Sequence, residues 1–124
     1  MSKKEAKKIL LIDDDEIHLS KVEKILNTKY EIICTKSGED SLELVHHGFT
    51  PNLILLDILM SNMDGWDTYL KLRSISFLEE VPIVFFTSVI DTVEKKHAIE
   101  MGAADYITKP FEKDDLIRRI EKVI

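Results

Sequence analysis

Three short apolar runs in this chain each lead into a residue that can take part in phosphoryl chemistry. The runs are residues 9–12, 53–56 and 83–86. The first leads into Asp13, Asp14 and Asp15, the second into Asp57, and the third into Thr87. In a parallel α/β sheet, the carboxyl ends of the strands form the crevice in which ligands bind. We therefore expect an acidic cluster, a lone aspartate and a hydroxyl to share one crevice.

The carboxylates of Asp13, Asp14 and Asp57 would repel one another in such a crevice, by ~4 kcal/mol for a pair about 4 Å apart at an effective dielectric near 20. A small hard cation such as Mg²⁺ (or Mn²⁺) would offset this repulsion, because it takes carboxylate, water and phosphate oxygens as ligands. In the alternative interpretation, the aspartates only cap helices. Asp57 stands alone at its strand end, so it is the candidate nucleophile, and an attack on phosphorus would form an acyl phosphate. The paired Asp13 and Asp14 are better suited to hold the ion.

Thr87 and Lys109 could supply the remaining parts of a phosphoryl-transfer site. Thr87 ends the third run, and Lys109 follows the last predicted strand, just before Pro110. Phosphoryl transfer requires mainly positioning and charge stabilisation, which a lysine and a hydroxyl can provide. A threonine at a strand end is often only a cap, and a loop lysine is often only solvated. Their placement beside the carboxylates nevertheless favours one shared site.

Short apolar runs alternate with segments of helical period, which is typical of βαβ units that build a parallel sheet. Strands are predicted at residues 8–13, 30–34, 53–57, 82–87 and 105–107. Leu19, Val22 and Leu26 give one helix a buried stripe. Ser37 and Asp91 are predicted helix caps, because each has a carboxylate three residues later. The predicted fold class is α/β, a single doubly wound domain with helices on both faces of the sheet.

Composition and charge narrow the classes of function. A chain of 124 residues with one cysteine, Cys34, fits a single domain without disulfides in a reducing compartment. The net charge of −6 argues against nucleic-acid binding. A basic start at Lys3, Lys4, Lys7 and Lys8 is not followed by a signal-peptide core, and no apolar run has the length of a membrane span. We expect a soluble cytoplasmic protein that contacts neither nucleic acid nor membrane.

The histidines and the tryptophan show no pattern of their own. His18, His46, His47 and His97 have no shared spacing on the predicted helices, so we interpret them as surface or packing residues rather than ligands or phosphodonors. Trp66 is expected to help pack the third helix.

Five strings in this order and spacing resemble those of response-regulator receiver domains, the phosphoacceptor modules of two-component signalling. They are residues 9–15, 51–57, 63–65, 82–88 and 102–111. The resemblance extends over essentially the whole chain and includes the chemotaxis regulators. It implies a flavodoxin-like (βα)5 fold with a five-stranded parallel sheet of order 2-1-3-4-5. We accordingly expect residues 1–124 to form one receiver domain, with no output domain in this chain.

The resemblance also implies roles for individual residues. Asp57 would be phosphorylated, Asp14 would bind Mg²⁺ directly, Asp13 would bind it through water, and the backbone carbonyl of Leu59 would be the third protein ligand. Lys109 would pair with the acceptor carboxylate and then with the phosphate, and its bond to the following proline is commonly cis in the family.

A switching role follows from the same resemblance. Thr87 would hydrogen-bond a phosphoryl oxygen, and Tyr106 would then turn inward. This movement would change the surface formed by the fourth helix, fifth strand and fifth helix. In physical terms it is a population shift that is limited by the difference in phosphate contacts between the two states.

The loop after Asp57 departs from the family pattern. The family usually has a proline after the methionine, whereas this chain has Met60, Ser61 and Asn62. Serine lacks the fixed φ of proline and restores an N–H donor. We therefore expect a looser loop, and weaker Mg²⁺ binding than in a Ser61→Pro variant.

Three functions remain open. The leading one is a signalling switch that takes a phosphoryl group from a histidine kinase, a phosphotransfer protein or a small phosphodonor, dephosphorylates itself and regulates a partner. Such a switch acts only on itself and is not an enzyme in the usual sense. A Mg²⁺-dependent aspartyl-phosphate hydrolase generally carries a second aspartate two residues after the nucleophile, and here that position is Leu59. A scaffold receiver that is never phosphorylated should lack some of the site residues, yet none is missing.

Overall fold

The structure is a computed structural model that describes residues 6–124, so Lys3 and Lys4 of the basic start lie outside the described residues. Within this range, five strands alternate with five α-helices, and a single 3-10 turn at Ser76–Leu78 lies between the third helix and the fourth strand. The strands are β1 (Lys8–Ile12), β2 (Glu31–Thr35), β3 (Leu53–Leu56), β4 (Ile83–Thr87) and β5 (Asp105–Thr108). The helices are α1 (Glu16–Leu26), α2 (Gly38–His46), α3 (Gly65–Arg73), α4 (Thr92–Glu100) and α5 (Lys113–Val123). Every strand lies within one residue of its predicted position.

All strand pairs are parallel, and the sheet has the order β2-β1-β3-β4-β5, which confirms the predicted fold. β1 and β3 end one residue earlier than predicted, at Ile12 and Leu56, which lie opposite each other. The aspartates that follow are still held by the sheet. The N–H of Asp13 donates to the carbonyl of Thr35 at 3.1 Å, and the N–H of Asp57 donates to that of Ile12 at 3.0 Å. Both carboxylates therefore leave the sheet at the same level.

The core has two halves, one on each face of the sheet. Because side chains alternate along a strand, Leu10 and Ile12 of β1 point to one face, while Ile9 and Leu11 point to the other. The first pair lies in a cluster with residues of α2, α3 and α4, and the second in a cluster with residues of α1 and α5. Helices thus cover both faces, as the continuous apolar runs predicted.

Both predicted helix caps are confirmed. The Ser37 hydroxyl accepts a hydrogen bond from the N–H of Asp40 at 3.0 Å, and the Asp91 carboxylate accepts one from the N–H of Val93 at 2.8 Å. Each cap satisfies a helix N–H that has no partner within the helix. None of the helices within residues 6–124 combines the length and the apolar character needed to span a bilayer.

Trp66 connects α3 to α4. From the sequence we expected it only to help pack α3. α4 has a single buried residue, Ala98, so its packing on the sheet is thin. The indole of Trp66 lies 4.8 Å from the ring of Phe85 and 4.7 Å from that of His97. Its Nε1–H donates to a carboxylate oxygen of Glu94 at 3.0 Å. Much of what holds α4 in place therefore comes from one side chain of the neighbouring helix.

We predict that Gly38→Ala destabilises the fold, although alanine is normally the better helix residue. A Cβ atom at Gly38 would lie 2.1 Å from Oγ1 of Thr68 and 2.9 Å from Sδ of Met63, so α2 and α3 would have to move apart. The expected loss is about 1–3 kcal/mol in the free energy of unfolding, measured by urea denaturation. In a Thr68→Ala background, which removes the clashing oxygen, the same substitution should cost clearly less. An equal cost in both backgrounds would refute the proposed clash.

Candidate functional site

The carboxylates of Asp13, Asp14 and Asp57 meet at the carboxyl end of the sheet, as predicted. Each offers an oxygen that lies within 4.8 Å of the oxygens offered by the other two. Asp13 is fully buried, Asp57 is 5 % exposed, and Asp14 faces solvent. The third aspartate of the run, Asp15, caps α1 instead, because its side chain accepts from the N–H of Ile17 at 2.9 Å. The alternative in which Asp13, Asp14 and Asp57 only cap helices therefore does not describe this cluster.

Lys109 lies inside this cluster, which confirms its predicted position. Its Nζ atom is 2.5 Å from Oδ2 of Asp13 and 3.4 Å from Oδ2 of Asp57. The side chain is only 7 % exposed, and Nζ also lies 4.7 Å from the centre of the Phe86 ring. The bond between Lys109 and Pro110 is cis, as the sequence resemblance implied. One ammonium group thus pairs with two of the three carboxylates, so negative charge is in excess when all three are ionised.

The electrostatics of Asp57 reflect this excess of negative charge. Burial raises the pKa of Asp57 above its ordinary value of 3.8, the Lys109 ammonium opposes the increase, and the Asp13 carboxylate adds to it. Oδ1 of Asp57 accepts a hydrogen bond from the N–H of Leu59 at 3.2 Å, which also favours the charged form. The net direction is upward, so the folded chain is strained by holding this carboxylate ionised.

Asp13 has hydrogen-bond partners on both of its carboxylate oxygens. Oδ1 accepts from the N–H of Asp15 at 3.0 Å, and Oδ2 accepts from Lys109. Asp13 is fully buried and lies closer to the ammonium group than Asp57 does, which leaves it less free to bind a cation directly. Asp14 is more accessible. Asp57 is held at longer distances, by the N–H of Leu59 at 3.2 Å and by Lys109 at 3.4 Å, with the Thr87 hydroxyl as a further donor.

Ser61 contacts the acidic cluster, which the sequence analysis did not anticipate. Its N–H and its hydroxyl both lie close to Oδ2 of Asp14, at 3.0 and 3.3 Å. The loop that we expected to be looser without a proline is therefore tied to the site by two hydrogen bonds. The same two donors occupy one oxygen of a candidate metal ligand. The next residue, Asn62, has a φ of 61°, a value that asparagine tolerates better than most residues.

Gly65 lets the start of α3 approach the acceptor strand closely. A Cβ atom at this position would lie 2.3 Å from the carbonyl oxygen of Asp57 and 2.5 Å from Cα of Ile58, and both of these are backbone atoms. The N–H of Gly65 donates to the carbonyl of Ile58 at 2.8 Å. Only a residue without a side chain fits here, so the loop between β3 and α3 folds tightly over the site.

Thr87 and Tyr106 lie where the sequence predicted: Thr87 is the last residue of β4, and Tyr106 lies in β5. Thr87 is fully buried, and its Oγ1 accepts a hydrogen bond from the N–H of Val89 at 3.3 Å. Tyr106 is already inward: it is 2 % exposed, and its hydroxyl donates to the carbonyl of Val89 at 2.7 Å. Burial raises the pKa of Tyr106 to about 12, with a further contribution from nearby carboxylates. Both side chains therefore bind the same residue of the loop that follows β4.

His18 contacts the site, although from the sequence we interpreted this histidine only as a surface or packing residue. Its Nδ1 atom lies 3.0 Å from Nζ of Lys109 and 3.4 Å from Oδ2 of Asp13. The side chain is 41 % exposed, so one edge of the ring faces solvent while the other faces the site. No spacing rule links a residue in the first turn of α1 to a lysine after β5.

This geometry can be compared with known families. The family model described as "Response regulator receiver domain" matches residues 9–121. The chain belongs to this family. It is thus a receiver domain of the kind found in the response regulators of two-component systems, and its fold and site agree with that assignment.

Several named proteins are similar to this receiver domain. The "Probable transcriptional regulator ycf27" of Porphyridium aerugineum is 35% identical over 122 residues, covering 94% of this chain and 48% of the relative. The "Transcriptional regulatory protein CrdR" of Helicobacter pylori is 34% identical over 118 residues, covering 94% and 54%. The signal receiver domain of a histidine kinase from Syntrophus aciditrophicus superposes with a TM-score of 0.84 at 27% identity, covering 95% and 89%. The chain spans about half the length of the two transcriptional regulators.

We predict that Asp57→Asn stabilises the metal-free receiver domain at neutral pH, because the variant removes one of the repelling charges. The expected gain is about 1 kcal/mol, or roughly 3–6 °C in the midpoint of thermal unfolding with a chelator present. The folded-state pKa of Asp57 lies above its unfolded value, so the wild type regains stability as the pH falls through that pKa. The difference between the two proteins should therefore shrink toward pH 4.

The exposed Asp67, in the first turn of α3, provides the control. Asp67→Asn should leave the melting temperature unchanged or lower it slightly, because a carboxylate is favourable at a helix start. A melting temperature of Asp57→Asn at or below that of the wild type would show that the crevice is not electrostatically strained.

Proposed function

We propose that this receiver domain is a signalling switch that accepts a phosphoryl group on Asp57 with the help of Mg²⁺ or Mn²⁺. The observation that supports this most strongly is the position of the Asp57 carboxylate, buried at a strand end between Lys109 and two further aspartates. The donor is a sensor histidine kinase, a phosphotransfer protein or a small phosphodonor such as acetyl phosphate.

The residues present fit a divalent cation. Three carboxylate oxygens lie close together, their negative charge exceeds that of the one ammonium group beside them, and an all-oxygen set suits a hard ion. Asp14, Asp57 and the carbonyl of Leu59 would bind the ion directly, and Asp13, which is fully buried and in closer contact with Lys109 than Asp57 is, would bind it through water. When bound, the ion neutralises charge on the incoming phosphoryl group and so lets an anionic carboxylate approach it.

The protein's own residues then carry out the transfer. A carboxylate oxygen of Asp57 forms a bond to phosphorus while the bond from phosphorus to the leaving group breaks, and the leaving group takes the electron pair. Lys109 turns from the Asp57 carboxylate toward a phosphoryl oxygen, and the Thr87 hydroxyl donates to another. Attack of water on the same phosphorus returns the free carboxylate, which accounts for dephosphorylation. The domain therefore acts on itself and is not an enzyme for other substrates.

The signal arises from the loop that Thr87 and Tyr106 share. A phosphoryl group adds about 1.5 to 2 negative charges and strong acceptors, to which the Thr87 hydroxyl can donate while it still accepts from the N–H of Val89. Movement of Thr87 toward the phosphoryl group would therefore pull on Val89. The loop would then move, and Tyr106, which is bonded to the same residue, would stabilise the new position. The surface formed by α4, β5 and α5 would change, and a downstream partner would read that change.

Two other functions fit the site less well. A phosphohydrolase for small molecules needs an acid or base two residues beyond the nucleophile, and Leu59 cannot serve as one. A scaffold that is never phosphorylated has no need to keep Lys109 buried among carboxylates. The signalling switch is the function that uses every charged group in the crevice.

The wider role is proposed from the relatives. Some are named as transcriptional regulators, and this chain covers about half of their length. We propose that residues 1–124 act as the receiver part of such regulation, in the cytoplasm, with DNA contacts left to other segments or partners. The thiol of Cys34, whose pKa is raised to about 11 by burial, fits a reducing compartment where it stays unreactive.

We predict that incubation with acetyl phosphate and Mg²⁺ adds one phosphoryl group to the intact mass of the wild type. The same treatment should add none to Asp57→Asn, whereas Asp67→Asn, on an exposed helix start, should react like the wild type. A chelator should abolish the reaction. A phosphoryl group retained by Asp57→Asn would place the acceptor elsewhere and overturn the proposal.

We predict that Ser61→Pro binds Mg²⁺ more tightly than the wild type. The proline removes the N–H and the hydroxyl that occupy an oxygen of Asp14, and it also restricts the loop. Freeing one hydrogen-bonded carboxylate oxygen should lower the dissociation constant by roughly 3- to 10-fold, measured by calorimetric titration. Ser61→Ala, which removes only the hydroxyl, should lie between the two. Equal or tighter binding by the wild type would disprove the role given to Ser61.

A further inference from the structure

His18 lies at the edge of the acidic cluster and contacts Lys109 directly. Its Nδ1 atom is 3.0 Å from Nζ of Lys109, closer than Asp57 Oδ2, which is 3.4 Å away. The imidazole also lines a cavity of about 270 Å³ together with Lys21, Ser88 and Phe111. It therefore lies between the buried ammonium group and the solvent.

The three N–H donors of the Lys109 ammonium group match the three acceptors that surround it. A lysine ammonium has three N–H donors and no acceptor. Two donors can reach Oδ2 of Asp13 and Oδ2 of Asp57, and the third can reach Nδ1 of His18. Because Lys109 can only donate, a hydrogen bond at this 3.0 Å contact requires the lone pair on Nδ1, whereas the longer contact of Nδ1 with Oδ2 of Asp13, at 3.4 Å, would require an N–H there. With the lone pair on Nδ1, the neutral ring carries its proton on Nε2.

Asp15 favours this tautomer. Nε2 of His18 lies 3.7 Å from Oδ2 of Asp15, so the N–H edge of the ring faces a carboxylate. The other oxygen of Asp15 caps α1 by accepting from the N–H groups of Ile17 and His18 at 2.9 and 3.4 Å. One aspartate thus fixes the first turn of α1 and the orientation of the imidazole that projects from it.

We propose that His18 is a positioning residue for phosphoryl transfer, which accepts a hydrogen bond from Lys109 through Nδ1 and holds the ammonium group beside Asp57. The inference rests on the proposed function of the site. Lysine has a flexible four-carbon chain, and two carboxylates leave its third donor free to pull it toward solvent. With His18 as the third acceptor, Lys109 can exchange Asp57 for a phosphoryl oxygen and keep its other two partners.

The kinetic test compares three variants in the phosphorylation of intact protein by acetyl phosphate and Mg²⁺. His18→Leu keeps the bulk of the side chain and removes the acceptor. His18→Asn keeps an acceptor at nearly the position of Nδ1. His46→Leu, at an exposed histidine of α2, is the matched control. We expect about a fivefold lower second-order rate for His18→Leu, the factor that an average hydrogen bond contributes.

His18→Asn should recover to within about twofold of the wild type, and His46→Leu should match it. An undiminished rate in His18→Leu would overturn the proposal. An equal loss in the leucine and asparagine variants would also overturn it, because the imidazole would then matter for its shape and not as an acceptor.

A second test uses the wild type alone and does not depend on the folding of any variant. A long-range ¹H–¹⁵N spectrum distinguishes the charged ring from the two neutral tautomers, and for the neutral ring it reports which nitrogen carries the proton. We expect the proton of His18 on Nε2. A proton on Nδ1 would exclude a hydrogen bond from Lys109 and refute the inference.

The two tests also separate this inference from the proposed function. If the wild type is not phosphorylated at all, the proposed function fails, while the tautomer of His18 can still be observed. If the wild type is phosphorylated and His18 carries its proton on Nδ1, only the positioning role fails.

Discussion

The burial of one ammonium group among carboxylates is the interaction on which the rest of this structure depends. Lys109 is 7 % exposed and lies within hydrogen-bond distance of Asp13 and Asp57. Without it, two buried carboxylates would face each other in a site of low dielectric, which costs several kcal/mol per charge. With it, the charges are only partly balanced, so the site holds together and still attracts a cation. A fully neutral site would be more stable and would lose that attraction.

The parallel sheet makes this arrangement from residues that are far apart in the chain. Ile12 and Leu56 lie opposite each other in β1 and β3, so the aspartates after them emerge side by side. The N–H of Lys109 donates to the carbonyl of Thr87 at 2.8 Å, which continues the pairing of β5 with β4 beyond the last residue of the strand. The strands therefore fix the backbone of the site, and the loop after β4 is left to adjust. This division suits a switch, because the acceptor must stay fixed while a neighbouring loop moves.

The sequence predicted the parts of the site that follow strands, and it missed the parts that reach the site from elsewhere. Asp13, Asp57 and Thr87 each follow an apolar run, and a parallel sheet brings the ends of such runs together whatever the details of packing. His18 has no such rule, because its contact with Lys109 depends on how α1 is rotated. That rotation is set by the Asp15 cap and by packing against the sheet, neither of which gives a period in the sequence.

Ser61 shows a second kind of information that the sequence alone does not provide, namely the partner of a loop donor. The absence of a proline after Met60 predicts greater backbone freedom in general terms. The restored N–H had a specific partner, however, and only the fold shows that this partner is Asp14. The sequence shows that Ser61 has an N–H donor, but it does not show which acceptor that donor reaches. The structure shows that this loop is hydrogen-bonded to the site. The predictions for β1 and β3 ended one residue too late, and Asp13 and Asp57 each keep one sheet hydrogen bond beyond the last strand residue.

The coupling between site and surface runs through a short segment that is bonded at both ends. Thr87 accepts from the N–H of Val89, and Tyr106 donates to the carbonyl of the same residue. A buried tyrosine hydroxyl that loses its partner costs about 1–3 kcal/mol, so Tyr106 and the loop should move together. α4 follows this loop and buries only Ala98, while Trp66 provides a hydrogen bond and ring contacts that hold it. A helix held by so few contacts can change position for a small free energy, and the contacts of one phosphoryl group with Thr87 and Lys109 are large enough to supply it.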